Sequence, residues 1–228
     1  MPRRETSIDY QIVQISPANI GRAGLRLNLW DRVSGREQSI SAIPGSTIKG
    51  CLRGTAGQLA RSLGLSVCDR PATCRLGASC VTCTIFGNSR NEASLAWSDA
   101  TIHPEVAGLL SSTSLGETRS RMPIDRVTGT GIQGAVAMIE ATPEGMIYLG
   151  SARGWVLDEP SDPDRSMMPA PVLLVLAAMR LTSNLGSGRS TGLGACRFDV
   201  ATVRWGDERL SAGRALAQVD RLGSVEVA

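Results

Sequence analysis

Four of the six cysteines crowd into one short segment: Cys68, Cys74, Cys80 and Cys83, in CDRPATCRLGASCVTC, while Cys51 and Cys196 stand apart. Four thiolates suit tetrahedral zinc, and Cys80-x-x-Cys83 is an ordinary ligand pair. The two outer spacings, five residues each, are wider than in a finger or ribbon, and Pro71, Gly77 and the small residues between suit a loop wrapped around an ion. Three chemistries compete: structural zinc, a redox pair at Cys80 and Cys83, and two disulfides. A chain of intracellular character keeps its thiols reduced, which disfavours the disulfides. No thioredoxin-like strand-to-helix context surrounds the C-x-x-C, which disfavours the redox pair. Four thiolates leave no open coordination position, so the zinc is expected to be structural rather than catalytic.

A second set of residues suits phosphate. The stretch Gly186-Ser-Gly-Arg-Ser-Thr-Gly-Leu-Gly194 sets four glycines around one arginine. It is neither a Walker A loop nor a dinucleotide fingerprint: its spacing is G-x-G-x-x-x-G and it leads into a strand. Glycines let a backbone approach a ligand closely, and successive amides can cradle an anion. Arg189, Ser190 and Thr191, after Gly188, add donors suited to phosphate. The plain alternative is an ordinary helix-to-strand connection, for which nine residues is long. Lys49 joins the same chemistry. It falls in the first turn of a helix predicted over 46–63, where the macrodipole favours anions, beside Ser46 and Thr47. Of 24 basic residues, Lys49 is the only lysine. A GC-rich genome would favour arginine, and so would phosphate recognition by a planar fork.

The elements that must position these groups follow from patterning. The chain has 228 residues, a formal net charge of +3 and 42% hydrophobic residues, enough for one large domain with its own core. The longest apolar run, Pro171 to Met179, is too short to span a membrane, and Met1 to Tyr10 is charged where a signal peptide would be apolar. These features predict a soluble, cytoplasmic protein with no membrane partner. The single histidine, His103, excludes every multi-histidine metal site and is read as structural or surface.

Residues 6–16 are β-branched and partly alternating, as in a half-buried strand, and 21–30 suggest a second strand or arm. Pro44-Gly45 is a turn, with Ser46 or Thr47 as helix cap; Ile48, Leu52, Leu59 and Leu63 then form one helical stripe. Residues 93–102 read as a strand and 107–131 as a polar, turn-rich stretch. Residues 135–141 and 146–157 read as two strands joined in a hairpin by Pro143-Glu144-Gly145. A buried helix over 169–181, a strand over 196–205 and a short terminal helix within 207–220 complete the chain. The order predicts an α+β fold with a split β-α-β arrangement, pointing to a ferredoxin-like, RNA-recognition-motif-like core, whose sheet often binds single-stranded RNA.

Four motifs occur together in an order that resembles the RAMP superfamily: Ile43-Pro-Gly-Ser-Thr-Ile-Lys-Gly50 with Leu52-Arg53, the cysteines running into Cys83-Thr-Ile-Phe-Gly87, Ile124-Asp-Arg-Val-Thr-Gly129, and the loop 186–194. The set is similar to the repeated backbone subunit of CRISPR effector complexes, above all the single-domain type III kind. The resemblance implies one modified RNA-recognition-motif domain over 1–228, with a zinc segment inserted at 66–90 and a thumb-like β-hairpin at 107–134. Copies would polymerise head-to-tail along a CRISPR guide RNA in antiviral defence, beside other effector subunits, and present the guide to complementary target RNA or DNA. Ser46, Thr47, Lys49 and Arg53, with Gly188, Arg189, Ser190 and Thr191, would hold guide phosphates. Arg119, Arg121 and Arg126 would be the basic members of a thumb that wedges between base pairs.

In type III relatives an aspartate before the Pro-Gly motif supports metal-dependent cleavage of target RNA. Here Asp31 is the nearest carboxylate, although its spacing to Pro44 and its neighbours depart from the family pattern. Two readings stay open. One is a non-catalytic backbone that leaves cleavage to a separate nuclease, the reading this departure favours slightly. The other is an endoribonuclease in which Asp31 positions Mg²⁺ and the target is cut at regular intervals. A third reading, without CRISPR content, is a stand-alone zinc-stabilised protein acting on a small phosphorylated ligand.

Overall fold

The computed structural model describes residues 3–20, 42–69, 74, 80–110, 117–158 and 167–224. Strand β1 (Arg3–Gln14) alternates as its sequence predicts: Thr6, Ile8, Tyr10, Ile12 and Gln14 point into the core, and the odd-numbered residues face away. It is the centre of the main sheet. One neighbour is β7 (Ile147–Leu157), the other β8 (Cys196–Trp205), both antiparallel. Beyond β7 lie β3 (Leu95–Trp97), β4 (Ala100–Ile102) and, at the edge, β2 (Ala42–Ile43); beyond β8 lies β9 (Glu208–Ser211). A bulge opposite Asp9 and Tyr10 adds Ala201 to β8, so that its inward residues change from Cys196, Phe198 and Val200 to Val203 and Trp205.

Helices cover one face of this sheet. Helix α1 (Gly45–Ser62) carries the chain from β2 back towards β3 and β4, and α4 (Ala170–Leu181) carries it from β7 to β8. The two helices pack on each other and on the sheet in one core containing Ile8, Ile48, Leu52, Leu174 and Val203. Residues 172–179 of α4 are all buried, as their unbroken apolar run requires. Opposite the helices, the open sheet face is charge-paired. Arg153 meets Asp9, Arg204 meets Glu5, and Arg197 meets Asp199, whose carboxyl this arginine holds below its ordinary range.

Several expectations change. The strand foreseen over 93–102 is broken at Ser98 and Asp99, where the Ser98 amide donates to Ser151 O and the Asp99 carboxylate turns towards α1. Pro143 to Gly145 is not a hairpin turn: β6 (Ala137–Ala141) pairs with β5 (Glu117–Arg121), leaving β7 to the main sheet. The reason is the clamp at this corner. Gln14 Nε2 donates to Thr142 Oγ1 at 2.7 Å and to Pro143 O at 2.7 Å, while the Gly145 amide donates to Gln14 O. The segment 207–220 begins as strand β9, paired to β8 across the tight Gly206-Asp207 turn, before α5 (Ala212–Ala217). Two further helices, α2 (Val81–Phe86) and α3 (Pro104–Leu110), had no counterpart in the sequence reading. His103 Nδ1 accepts the Glu105 amide at the start of α3, a structural role. No described helix is long and apolar enough to cross a membrane. The arm suggested at 21–30, and Asp31 with it, lie outside the described residues.

Candidate metal centre and nucleic-acid interface

The sulphurs of Cys68, Cys74, Cys80 and Cys83 lie within 4.8 Å of one another, three of the residues buried and Cys68 half-buried. Cys68 Sγ is 3.5 Å from Cys83 Sγ and 3.6 Å from Cys80 Sγ. A zinc with Zn–S bonds of about 2.3 Å in a tetrahedron separates its sulphurs by about 3.8 Å, whereas a disulfide brings them to about 2.05 Å. The spacing therefore fits a metal ion and not a bridge, and all four thiols are free. Helix α2 positions the last two ligands: Cys80 is its N-cap and Cys83 lies in its first turn, with Gly87 ending it at φ +70°.

Neighbouring donors fit thiolates. Thr82 Oγ1 lies 3.2 Å from Cys80 Sγ. Burial opposes a charged Cys80, but the hydrogen bonds from Thr82 and from the backbone at Cys68 and Cys83 outweigh it and bring its pKa down to about 6. Burial and the two neighbouring sulphurs push Cys68 up to about 12, and burial also raises Cys83. One thiolate is thus favoured and further ones are opposed until a cation balances them. The buried Asn88 Nδ2 finds no partner in hydrogen-bond geometry, yet its amide lies near enough to favour charge on Cys83. Such a set fits a structural metal held by all four sulphurs.

Helix α1 runs beside this centre. At 100° per residue, Lys49 and Arg53 share one flank, Cys51 and Thr55 the other, and Ser46, Gly50 and Gly54 form the ridge between. The contacts agree. On the first flank, Arg53 Nη1 donates to Gly87 O at 2.6 Å and Nη2 to Cys83 Sγ at 3.1 Å. On the second, Cys51 Sγ donates to Asn184 O at 3.2 Å, and Thr182 Oγ1 donates to Thr55 Oγ1 at 2.9 Å. Arg189 stands close enough to Cys51 to act against the rise in its thiol pKa that burial causes. Lys49 and the loop 186–194 therefore border the same half of α1.

The α1 N-terminus differs from its sequence reading. Neither Ser46 nor Thr47 caps it; the residue before it is Pro44, and the Gly45 amide donates to Asp99 Oδ1 at 2.8 Å. The Thr47 and Ile48 amides turn back to Pro44 O. A carboxylate of the chain thus meets the positive end of the dipole, and an incoming anion would depend more on side chains than on free amides. Burial first, then the like charge of Arg53 one turn on, lower the Lys49 pKa. Arg53, expected among the phosphate ligands, directs its guanidinium to the metal centre.

The glycine loop also has an internal cause. A Cβ at Gly186 would collide with Asn19 O, because segment 17–19 bonds along the loop, and one at Gly194 with Leu185 O, because the Leu185 amide donates to Gly194 O. Gly188 and Gly192 hold φ of 75° and 81° and frame a 3-10 turn, Arg189–Thr191, whose three residues are exposed. Gly186 and Gly194 are needed by the backbone itself; Thr191 Oγ1 donates to Gly188 O at 2.8 Å within the turn, and Arg189 and Ser190 are exposed beside it. Gly50 and Gly54 are the reverse case. Among the described residues, no atom lies within 4 Å of where their Cβ would stand, so none of these excludes a side chain from the ridge. Each costs the helix about 0.5–1 kcal/mol relative to alanine. Two glycines one turn apart inside a helical pattern are a signal of this ridge that the sequence itself carries.

Strands β5 and β6 form a separate two-stranded ribbon, with Ile124 bridging Gly131 near its tip. Asp125 Oδ1 accepts the Val127 amide, Asp125 O accepts the Gly129 amide, and Arg126 and Arg119 are exposed. Beside these polar groups the apex exposes three apolar side chains, Met122, Ile124 and Val127, the last to 93%. Arg121 lies on β5. The hairpin is longer than foreseen, reaching residue 141 rather than 134. Among the described residues, no carboxylate pairs with Lys49, Arg126 or Arg189, unlike the arginines of the open sheet face.

A family model described as the RAMP superfamily matches residues 15–197. No curated protein matches the chain significantly.

Proposed function

Because this chain belongs to the RAMP superfamily of CRISPR-associated RNA-binding proteins, we propose that it is a backbone subunit that grips a CRISPR guide RNA and presents it for pairing with a target. The observation that carries this reading is the first half of α1: an open glycine ridge bordered by Lys49 on one flank and by the exposed Arg189-Ser190-Thr191 turn on the other. A ribose-phosphate strand can lie against a surface without side chains, and the flanking donors meet its phosphates without reading bases. Ser46 and Thr47 stand at the start of the ridge.

The sheet order β4-β7-β1-β8, with α1 and α4 on one face, supports a modified ferredoxin-like, RNA-recognition-motif core. Its open face is charge-balanced, which favours the helix side for the guide. The ribbon β5–β6 is the thumb, and its exposed apolar apex suits insertion between base steps, as apolar wedges do in duplexes. Arg119, Arg121 and Arg126 would meet the strands beside it. The metal segment would be structural, with zinc on Cys68, Cys74, Cys80 and Cys83. Further copies would follow head-to-tail on the same guide, with other effector subunits at the ends.

The test is binding to RNAs of graded length and unrelated sequence at several salt concentrations. Affinity should fall steeply with salt, and Lys49→Ala and Arg189→Ala should weaken it equally across sequences. Wild-type affinity in both variants would remove the ridge assignment. Adding complementary RNA with Mg²⁺ to the full complex tests the endoribonuclease alternative: cuts at regular spacing, lost in Asp31→Ala with assembly intact, would establish it.

A further inference from the structure

Arg53 is placed where a phosphate ligand was expected, yet its fork turns inward. Nη1 donates to Gly87 O, the residue that ends α2, and Nη2 to Cys83 Sγ, the last sulphur of the cluster. A half-buried guanidinium needs compensating charge, and among the described residues no carboxylate pairs with it. Its helical neighbour at i−4 is Lys49, of the same sign, which by itself is unfavourable. The acceptor that the fold does supply is sulphur. Four thiolates outweigh the charge of one divalent ion, so a loaded centre would be anionic, with its excess charge shared by Cys83.

We propose that Arg53 is a positioning residue of the metal centre: its guanidinium, bonded to Cys83 Sγ and Gly87 O, offsets the charge of the tetrathiolate site and fastens that site to helix α1. The proposal rests on the reading of the four cysteines as metal ligands. Partners that bond a ligand atom from outside orient it and tune its donation to the metal. The fork geometry matters: a lysine at this position carries the charge but cannot reach a sulphur and a carbonyl with two parallel donors. The structure also links the centre to the guide-binding ridge, since the residue that holds Cys83 lies one turn after Lys49.

The test uses the full chain, loaded with zinc for affinity and with cobalt(II) for spectra, in wild type, Arg53→Met and Arg53→Lys. Arg61→Met, on the exposed side of the same helix, is the control for lost charge. Zinc is titrated against a chromophoric chelator. The expected result is one metal per chain in wild type, about a 10–100-fold loss of affinity in Arg53→Met, and partial recovery in Arg53→Lys. The sulphur-to-cobalt charge-transfer band should shift in both Arg53 variants and stay unchanged in Arg61→Met; a merely structural contribution to helix packing would leave the band in place. Should Arg53→Met fail to fold, the band of Arg53→Lys decides. Wild-type affinity and band position in a folded Arg53 variant would overturn the proposal. A wild-type chain that binds neither zinc nor cobalt would overturn the metal reading itself, and the proposal with it.

Discussion

The main sheet and the β5–β6 ribbon are both antiparallel, and both carry branched apolar residues, but they dispose of them in opposite ways. Ile8, Ile12 and Val203 are sealed beneath α1 and α4, whereas Ile124 and Val127 stand in the open. The difference lies in the second layer. A sheet backed by helices can bury one face, while a two-stranded ribbon without a second layer, as it stands among the described residues, cannot. The inward apolar groups of the main sheet are therefore covered by its own helices, whereas Ile124 and Val127 of the ribbon are exposed. The cysteine segment is a third case. Its buried sulphurs form a small cluster apart from the main core, with an ion as the natural source of cohesion.

These contrasts can be broken by experiment. Leu174→Ala, in the buried run 172–179 of α4, is expected to cost about 2–5 kcal/mol in urea unfolding; a loss below about 1 kcal/mol would mean that the helical layer is not what seals the sheet. Removal of bound metal by a chelator comes next. A site filled at about a hundredfold excess over its dissociation constant adds about 2.7 kcal/mol, and chelation should lower stability by that order. An unchanged unfolding midpoint would show that the cysteine segment coheres without an ion.

Gly50→Ala and Gly54→Ala should act with opposite signs on two measurements. Each should raise helix stability by about 0.5–1 kcal/mol, because no described neighbour obstructs the new methyl group, while lowering affinity for RNA. Gain in both would argue against close approach of a strand to the ridge. The smallest effect is expected at the ribbon apex, where Val127→Ser should change stability by less than about 0.5 kcal/mol and yet weaken guide–target pairing in the assembled complex. A stability loss comparable to that of Leu174→Ala would place Val127 inside a core and erase the contrast between the two regions.

How much of this was legible differs by element. The alternation of β1 and the unbroken apolar run of α4 carry their burial in their own periodicity, and both elements stand where they were expected. The cysteines were legible because ligand chemistry requires residue types before it requires geometry. The pairing of β6 was not legible. Pro143-Glu144-Gly145 has the composition of a hairpin turn, and only the contacts of Gln14 with Thr142 and Pro143 make it a corner between two sheets. The direction of the Arg53 side chain was not legible for a related reason: the resemblance placed it with the phosphate ligands, and nothing local announces that Cys83, thirty positions on, supplies an acceptor. By contrast, the Gly206-Asp207 turn between β8 and β9 carries an ordinary two-residue hairpin signal in the sequence.

Residue types, their spacing and their periodicity alone determined the central strand β1, the helices α1 and α4, the cysteine cluster and the family. These depend on interactions within a few residues or on chemistry that any fold must respect. The tertiary structure alone decided which cations are paired, which glycines serve the backbone and which leave a surface bare, and which way Arg53 points. Those outcomes depend on contacts between segments far apart in the chain, and local pattern does not encode the partner.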